Sequence, residues 1–304
     1  MTDVVEMCAQ KLAERAGEAR RLFHGRGHSF PGFEHLVVNW LPPYLHIACY
    51  RAPESFEVHK LVNALVGALN AITNIEGVVV QHRQGRSTTS DVVVGTVPEE
   101  VLVQEAGLNY WVQPTRNQNT GLFLDMGHVR EWLAPHVDGA RVLNLFAYTC
   151  AFSVSAIANG ATLVVNNDMS KNALDWGERN HKANDHDLRK VRMIPHNLFK
   201  SWWKVKQFGP YDVVIIDPPT NQRGSFVAEK SYGQVLKRIP EFTSPGGIVL
   251  ACLNSPFLGD EFIAHEMQRH APECEIEHRF ELHPDFPDQF PERGLKVVAY
   301  RYKP

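Results

Sequence analysis

The chain has 304 residues, room for one large domain or two medium ones. It is 44% hydrophobic and 21% charged with a formal net charge of −3, a globular composition whose totals do not advertise a nucleic-acid partner. Its five cysteines, Cys8, Cys49, Cys150, Cys252 and Cys274, are far apart and include no CxxC, which favours neither a disulfide framework nor a zinc site and fits reduced thiols in the cytoplasm.

The opening Met-Thr-Asp-Val-Val-Glu does not read as a signal peptide, and residues 3–24 have the apolar spacing of a helix that ends at Gly25-Arg26-Gly27. His24, His28 and His35 cluster around this Gly-rich loop, but no metal site is expected there. "LVVNW" (36–40) and "LHIACYR" (45–51) read as a hairpin split by Pro42-Pro43. "SFEVHKLVNALVGALNAI" (55–72) reads as a helix with Ser55 at its cap. Residues 77–83, 90–97 and 101–113 read as strands, so this part is a compact α+β unit in the order ββαβββ.

After about residue 119 the pattern becomes alternating. Helix 127–137, strand "ARVLNLFA", helix "TCAFSVSAIANG", strand 162–168 and helix 170–185 capped by Ser170 come first. Strand "VRMIP", helical "LFKSWWKVKQ", strand 211–220 running into Pro218-Pro219, helix "SYGQVLKRIPEF" and strand 246–254 follow. Helix "GDEFIAHEMQRH" and two strands, 274–282 and 296–302, close the chain. Alternation of this kind demands an α/β fold with a parallel sheet covered on both faces; the last two strands lack a helix between them and predict an antiparallel end. No apolar run is long enough to cross a bilayer. The expected division is 1–33 as an N-terminal helix and loop, 34–118 as a small α+β domain and 119–304 as a Rossmann-like domain.

In an open parallel sheet a ligand sits beyond the carboxyl ends of the strands where their order reverses. The first turn of that kind here is 146–151, and the next strand ends on Asp168, a carboxylate able to accept hydrogen bonds from the two hydroxyls of a ribose. A dinucleotide site would have Gly-x-Gly-x-x-Gly, but Tyr148, Cys150 and Phe152 crowd that path, which argues against a dehydrogenase. A ribose-bearing cofactor with an amino-acid tail and no phosphate suits the turn better, and S-adenosylmethionine is such a cofactor. In "VVIIDPPT" two prolines stiffen the turn after Asp217, fixing its carboxylate and nearby carbonyls as acceptors for the edge of a flat base.

"TGLFLD" (120–125), "VLNLFAYTCAFSVSA" (142–156), "VVNNDMSKNALDW" (164–176) and "YDVVIIDPP" (211–219) resemble, in that order, the class I S-adenosylmethionine-dependent methyltransferases of the bacterial large-subunit ribosomal RNA group. The resemblance is to the 23S rRNA cytosine-5 and guanine-N7 enzymes, which share a V-L-N-x-F-S-Y-T-G motif, and "RLFHGRGHSFPGFEHLVVNW" (21–40) resembles the start of the small domain that precedes their catalytic domain. It implies a mostly parallel Rossmann-like sheet with an antiparallel last strand, a ribosomal RNA substrate and, by analogy, a homodimer. It also implies that Asn144, Phe146, Ala147, Tyr148 and Thr149 wrap the methionine part of the cofactor. Asp168 takes the ribose, Met169 lies against the adenine, Asn197 stands where the family meets the adenine amino group, Ser170 belongs to the same cofactor site, Phe123 and Asp125 close the pocket, and Asp217, Pro218 and Pro219 face the base.

The chain departs from that pattern in several places. Cys150 and Ala151 stand where the family has glycine, a short helix stands where the family has a PUA domain, and Thr220 replaces the aromatic residue common after Pro-Pro in exocyclic-amine methylases. Aligned on Gly246-Gly247, Asn254 occupies the position of the cytosine-5 nucleophilic cysteine, as in the guanine-N7 enzymes; Cys252, two residues earlier on the same strand face, stays open as a nucleophile, although its neighbours Ala251 and Leu253 favour a core residue. Carbon 5 of cytosine needs a thiolate, whereas a guanine ring nitrogen needs only positioning, so the ring nitrogen is favoured. Arg116, Arg130, Lys204, Lys206, Arg223 and Lys230 are candidate phosphate contacts, Arg223 foremost. Two other readings stay open: a methyltransferase acting on a small molecule or protein, and a non-catalytic RNA-binding or assembly factor.

Overall fold

The computed structural model describes residues 1–304 except Arg86, Asn117, Thr220 and 223–225. Two units result: Met1–Gly127 with His283–Phe290, and His128–Leu282 with Pro291–Pro304.

The smaller unit is built on a five-stranded sheet, β1 (Arg20–His24), β2 (Leu36–Leu41), β3 (Tyr44–Tyr50), β4 (Gly77–Gln84) and β5 (Ser87–Gly95), in that spatial order. Only β3 and β4 are parallel, joined by the crossover helix α2 (Val58–Leu69), whose Leu61, Val62, Leu65 and Leu69 share one face. That face and Val4, Cys8 and Leu12 of α1 (Thr2–Glu14) pack on Val38, Trp40, Leu45, Ile47, Val78 and Val80. The helix expected over 3–24 therefore stops at Glu14. Residues 20–24 pair with β2 instead, and Leu22 and Phe23 are buried there in the core of the small unit. Residues 1–33 are thus part of the small unit's core rather than a separate segment. Helix α2 begins at Val58 with Glu57 at its cap position, not Ser55. The stretch 101–113 is a hairpin, β6 (Val101–Glu105) and β7 (Leu108–Val112), because Ala106 and Gly107 both take left-handed φ, 49° and 73°, the geometry of a two-residue turn. Asp285 ties the segment 283–290 into this unit through Arg20 at 3.0 Å and Lys11 at 3.1 Å.

The larger unit begins at His128, within α3 (Gly127–Leu133). Its strands β8 (Arg141–Leu145), β9 (Leu163–Asp168), β10 (Val191–Pro195) and β11 (Tyr211–Ile216) alternate with α4 (Ala151–Ala158), α5 (Lys171–Lys182) and the short α6 (Trp202–Lys206). A small ribbon, β12 (Asn221–Gln222) and β13 (Phe226–Val227), precedes α7 (Ala228–Leu236), α8 (Ile239–Phe242), β14 (Thr243–Asn254), α9 (Glu261–His270), β15 (Cys274–Arg279) and β16 (Leu295–Tyr302). The seven-stranded sheet runs β10-β9-β8-β11-β14-β16-β15. β10, β9, β8, β11 and β14 are parallel, and β16 is antiparallel to both β14 and β15. This is the expected α/β sheet with its antiparallel end. Leu143, Leu145, Val165, Val214, Ile216, Val249 and Leu253 are buried on one face of the sheet against α7 and α9, which contribute Tyr232, Val235, Leu236, Ile263 and Met267. The strand order reverses between β8 and β11, which puts a crevice beyond the carboxyl ends of those two strands. Among the described residues no helix is long and apolar enough to cross a membrane.

Candidate active site

The turn after β8 is backbone under constraint. Phe146, Tyr148 and Cys150 all have left-handed φ, at 59°, 48° and 62°. Such angles are costly for residues with a Cβ and persist only where surrounding contacts determine them. Here those contacts are visible. Ala147 N–H donates to the Asn167 carbonyl at 3.0 Å, Cys150 N–H to the Ala147 carbonyl at 2.8 Å, and Tyr148 N–H to Asp168 Oδ2 at 2.9 Å. The absence of glycine is compensated from α5: Gly177 lies so close that a Cβ there would sit 2.4 Å from Cys150 Sγ. Cys150 fills that notch, fully buried beside Ala147, Leu174 and Met193, and burial pushes its thiol well above the ordinary range. It is a packing residue.

Asp168 terminates β9 and anchors the turn. Its Oδ2 accepts from Tyr148 N–H and its Oδ1 from Ser170 N–H at 2.8 Å. A carboxylate has about four acceptor sites, so two bonds leave capacity for two hydroxyl donors. Ser170 Oγ caps α5 by accepting from Ala173 N–H at 3.2 Å. Met169, 42% exposed beside Asp168, offers an apolar surface for a flat ring. Tyr148 stays half-buried and its phenol is pushed up to about 12 by burial and then by Asp168. Phe146 packs edge-on against Phe226 with centroids 5.2 Å apart.

Other residues singled out from the sequence are placed differently. Asn144 is buried and its amide donates to Asn166 Oδ1 at 2.9 Å, the start of a chain that continues through Asn166 to Ser153 Oγ, on to His181 and to His186. Its side chain thus fastens β8 to β9 under the turn. Thr149 is buried, and its carbonyl accepts from Asn180 at 3.0 Å. Asn197 Oδ1 accepts from Phe199 N–H at 3.0 Å and caps the 3-10 turn after β10. Phe123 and Asp125 belong to the smaller unit and line a cavity within it.

At the end of β11, Asp217 is half-buried, Pro218 buried and Pro219 exposed. Asp217 lies near the buried Tyr232, whose phenol is raised by burial first and then by the charges of Cys252 and Asp217. Ile216 is in register with Ala251, so Asn254, exposed at the end of β14, projects from the same sheet edge as Asp217. Cys252 is fully buried inside β14, its carbonyl accepting from Tyr232 Oη at 3.0 Å. Of the basic candidates, Arg130 is buried, Arg116 pairs with Glu99 and Lys206 with Glu241, Lys230 is exposed, and Arg223, like Thr220, lies outside the described residues. Reading the sequence missed Trp203, 63% exposed on α6 with Lys204 Nζ 5.5 Å from its ring centre. The signal was present in "KSWWKVK", where aromatic and basic residues interleave.

Residues 20–301 match a family model described as S-adenosylmethionine-dependent methyltransferase. The chain belongs to that family. S-adenosylmethionine is the cofactor of these methyltransferases, and the carboxylate at Asp168 beside a tightly wound turn suits its ribose and amino-acid tail. Ribosomal RNA large subunit methyltransferase I of Enterobacter sp. (strain 638) is 30% identical over 247 residues, which cover 79% of this chain and 62% of that protein. The chain spans about 60% of the length of the curated relatives it matches. Among solved structures, an S-adenosylmethionine-dependent methyltransferase from Streptococcus mutans superposes with a TM-score of 0.82 at 25% identity, covering 99% of this chain and 81% of that one. SMU.776, a methyltransferase crystallised with SAH, has the same TM-score and coverage at 24% identity.

Proposed function

We propose that this methyltransferase modifies a base of ribosomal RNA, with a guanine ring nitrogen favoured over carbon 5 of cytosine. The observation that carries the reading is Asp168, held by two backbone N–H groups at the lip of the left-handed turn after β8, the strand that pairs on its other side with β11 and its terminal Asp217-Pro218-Pro219. Bound S-adenosylmethionine supplies a methyl group on a positively charged sulfur. Asp168 holds its ribose, the 146–149 turn its amino-acid tail, and Met169 and Asn197 its adenine, with Ser170 in the same cofactor site.

The rest is positioning. The Asp217 carboxylate and the carbonyls of a stiff Pro-Pro turn accept hydrogen bonds from the N–H groups of a base edge, and Asn254 adds a second polar contact at the same sheet end. A guanine held by its N1–H and amino edge keeps N7 on the opposite edge, with a lone pair that needs no proton removed. Cytosine carbon 5 would need an exposed thiolate, and the burial of Cys252 supports the nitrogen. RNA as substrate is supported by the name of the Enterobacter relative and by Trp203 with Lys200, Lys204 and Lys206 around it, an aromatic platform among cations of the kind on which unpaired bases stack. A target in a duplex is flipped out. The reading includes a cytoplasmic enzyme, in line with five buried cysteines that form no disulfide among the described residues, and a homodimer that sedimentation would test.

The test is transfer of tritium from methyl-labelled S-adenosylmethionine to total RNA, DNA, protein and small-molecule extract, followed by digestion of labelled RNA to nucleosides. The expected product is a ring-methylated guanosine. Labelled 5-methylcytidine would overturn the choice of base, label only in protein or small molecules would overturn RNA, and cofactor binding without label in any fraction would favour a binding or assembly role.

A further inference from the structure

The sheet of the smaller unit has two unlike faces. One packs on α1 and α2. The other carries Arg21, Asn39, His46, Tyr50, Gln81 and Arg83, because alternate residues of a strand point to opposite sides. A cavity of about 200 Å³ lies over that second face, lined by Arg21, Arg26, His46, Tyr50, Arg83 and Asp125 among others. A sheet face of a small domain normally buries apolar side chains or meets water. Polar groups placed there at the cost of desolvation need a reason.

The hydrogen bonds fix the polarity of the site. Arg21 Nε donates to Asn39 Oδ1 at 2.6 Å, so the amide nitrogen of Asn39 faces His46 Nδ1, 3.1 Å away, and donates to it. A neutral imidazole that accepts at Nδ1 carries its proton on Nε2. His46 is neutral, since burial and the charges of Arg83 and Arg21 push it down to about 3. Its Nε2–H is a buried donor with no acceptor in the structure, and His46 is 0% exposed. An unmade bond of this kind leaves the desolvation of the donor uncompensated.

The cations point the same way. Three guanidinium groups line the cavity against one carboxylate, Asp125. Arg83 Nε donates to Gln81 Oε1 at 2.6 Å, its Nη1 donates to Tyr50 Oη, and its guanidinium lies 4.7 Å from the Tyr50 ring centre. Arg26 lies 4.0 Å from the same ring, and no carboxylate pairs with it among the described residues. Arg21 is so deeply enclosed that burial draws its guanidinium down to about 10, with Asp125 opposing that effect. Surplus planar cations, a buried N–H donor and an aromatic wall together fit a phosphate oxyanion, which guanidinium groups bind in paired hydrogen bonds.

We propose that this cavity is an oxyanion site in the small unit that takes a phosphate group of the substrate RNA chain, an assignment that rests on the RNA reading above. It would fix the register of the chain without reading its sequence.

The test uses the full-length protein. Inorganic phosphate is titrated calorimetrically into the wild type, Arg26→Gln, Arg83→Gln and the control Lys60→Gln, whose lysine pairs with Glu57 on α2. Arg26 is exposed, so its substitution leaves the fold intact even if Arg83→Gln lowers the melting temperature. Phosphate should bind the wild type and the control, with affinity about tenfold lower in each arginine variant. A ribosomal RNA oligonucleotide should bind the arginine variants more weakly with a salt slope smaller by about one, while SAH affinity stays unchanged. No phosphate binding by the wild type, or equal binding by the arginine variants, would overturn the site even if RNA is methylated. Phosphate binding that the variants lose, in a protein that neither binds nor methylates RNA, would keep the oxyanion site, assign it to a small phosphorylated ligand and defeat the RNA reading instead.

Discussion

Replacing Gly177 by alanine tests whether the cofactor turn is braced by the pairing of Cys150 with α5. An added Cβ would lie 2.4 Å from Cys150 Sγ, 2.8 Å from its Cβ and 3.3 Å from the Thr149 carbonyl carbon. Glycine to alanine inside a helix ordinarily stabilises by about 0.5–1 kcal/mol. Forcing an extra methyl into a packed site costs about 1–3 kcal/mol. Cys150 cannot swing aside, because it is fully buried with Sγ 3.8 Å from the Tyr148 carbonyl and 4.0 Å from Met193 Sδ. Gly177→Ala should therefore destabilise the protein by about 1–2 kcal/mol. Cys150→Gly removes the two nearest atoms and relieves a left-handed φ worth about 1–2 kcal/mol, offset by the lost packing of the thiol. In that background Gly177→Ala should be close to neutral, held back only by Thr149. Urea unfolding of the four proteins should give a coupling energy of about 1–2 kcal/mol, and SAH affinity should fall in Gly177→Ala and recover in the double variant. Equal cost of Gly177→Ala in both backgrounds, within about 0.5 kcal/mol, would refute the brace.

Three further outcomes are expected. Asp168→Asn keeps one acceptor oxygen but loses the charge, so SAH affinity measured by calorimetry should fall at least about tenfold; unchanged affinity would remove Asp168 from the site. Burial lowers His181 and His46 from the ordinary 6.5 to about 3, so the fold favours their neutral forms. Their contribution is complete above about pH 6.5 and is lost as pH falls towards 3, at about 1.4 kcal/mol per pH unit for each. Urea midpoints between pH 7 and 5 should show that slope, and His181→Gln should flatten it; an unchanged slope would mean His181 does not titrate as argued. Trp203→Ala should weaken RNA binding by about 1–3 kcal/mol with SAH affinity and melting temperature unmoved, whereas equal RNA affinity would exclude Trp203 as a stacking platform.

Much of this was legible in the chain because hydrophobic period and strand-end chemistry are local signals. The alternation after residue 119 announced a parallel sheet, and Asp168 and Asp217 could be placed at strand ends before any coordinates. What escaped depended on distant partners. Residues 20–24 read as a continued helix, and only pairing with β2 makes them a strand. Asn144 looked like a cofactor contact from its motif, yet its amide is committed to Asn166, a bond that requires β8 and β9 side by side. Nothing near Cys150 in sequence explains a left-handed cysteine; the explanation is Gly177 on another helix. The polar face of the small sheet was written in alternate positions, Asn39, His46, Gln81 and Arg83, but it became a site only when three strands brought those positions onto one face.

The most direct test of the central claim compares ribosomal RNA nucleosides, by mass spectrometry, from cells that have the gene and cells that lack it, with complementation by the wild type and by Asp168→Asn. The account predicts one methylated guanosine lost with the gene, restored in full by the wild type and restored poorly or not at all by the variant. An unchanged profile of methylated nucleosides in the deleted strain would contradict it.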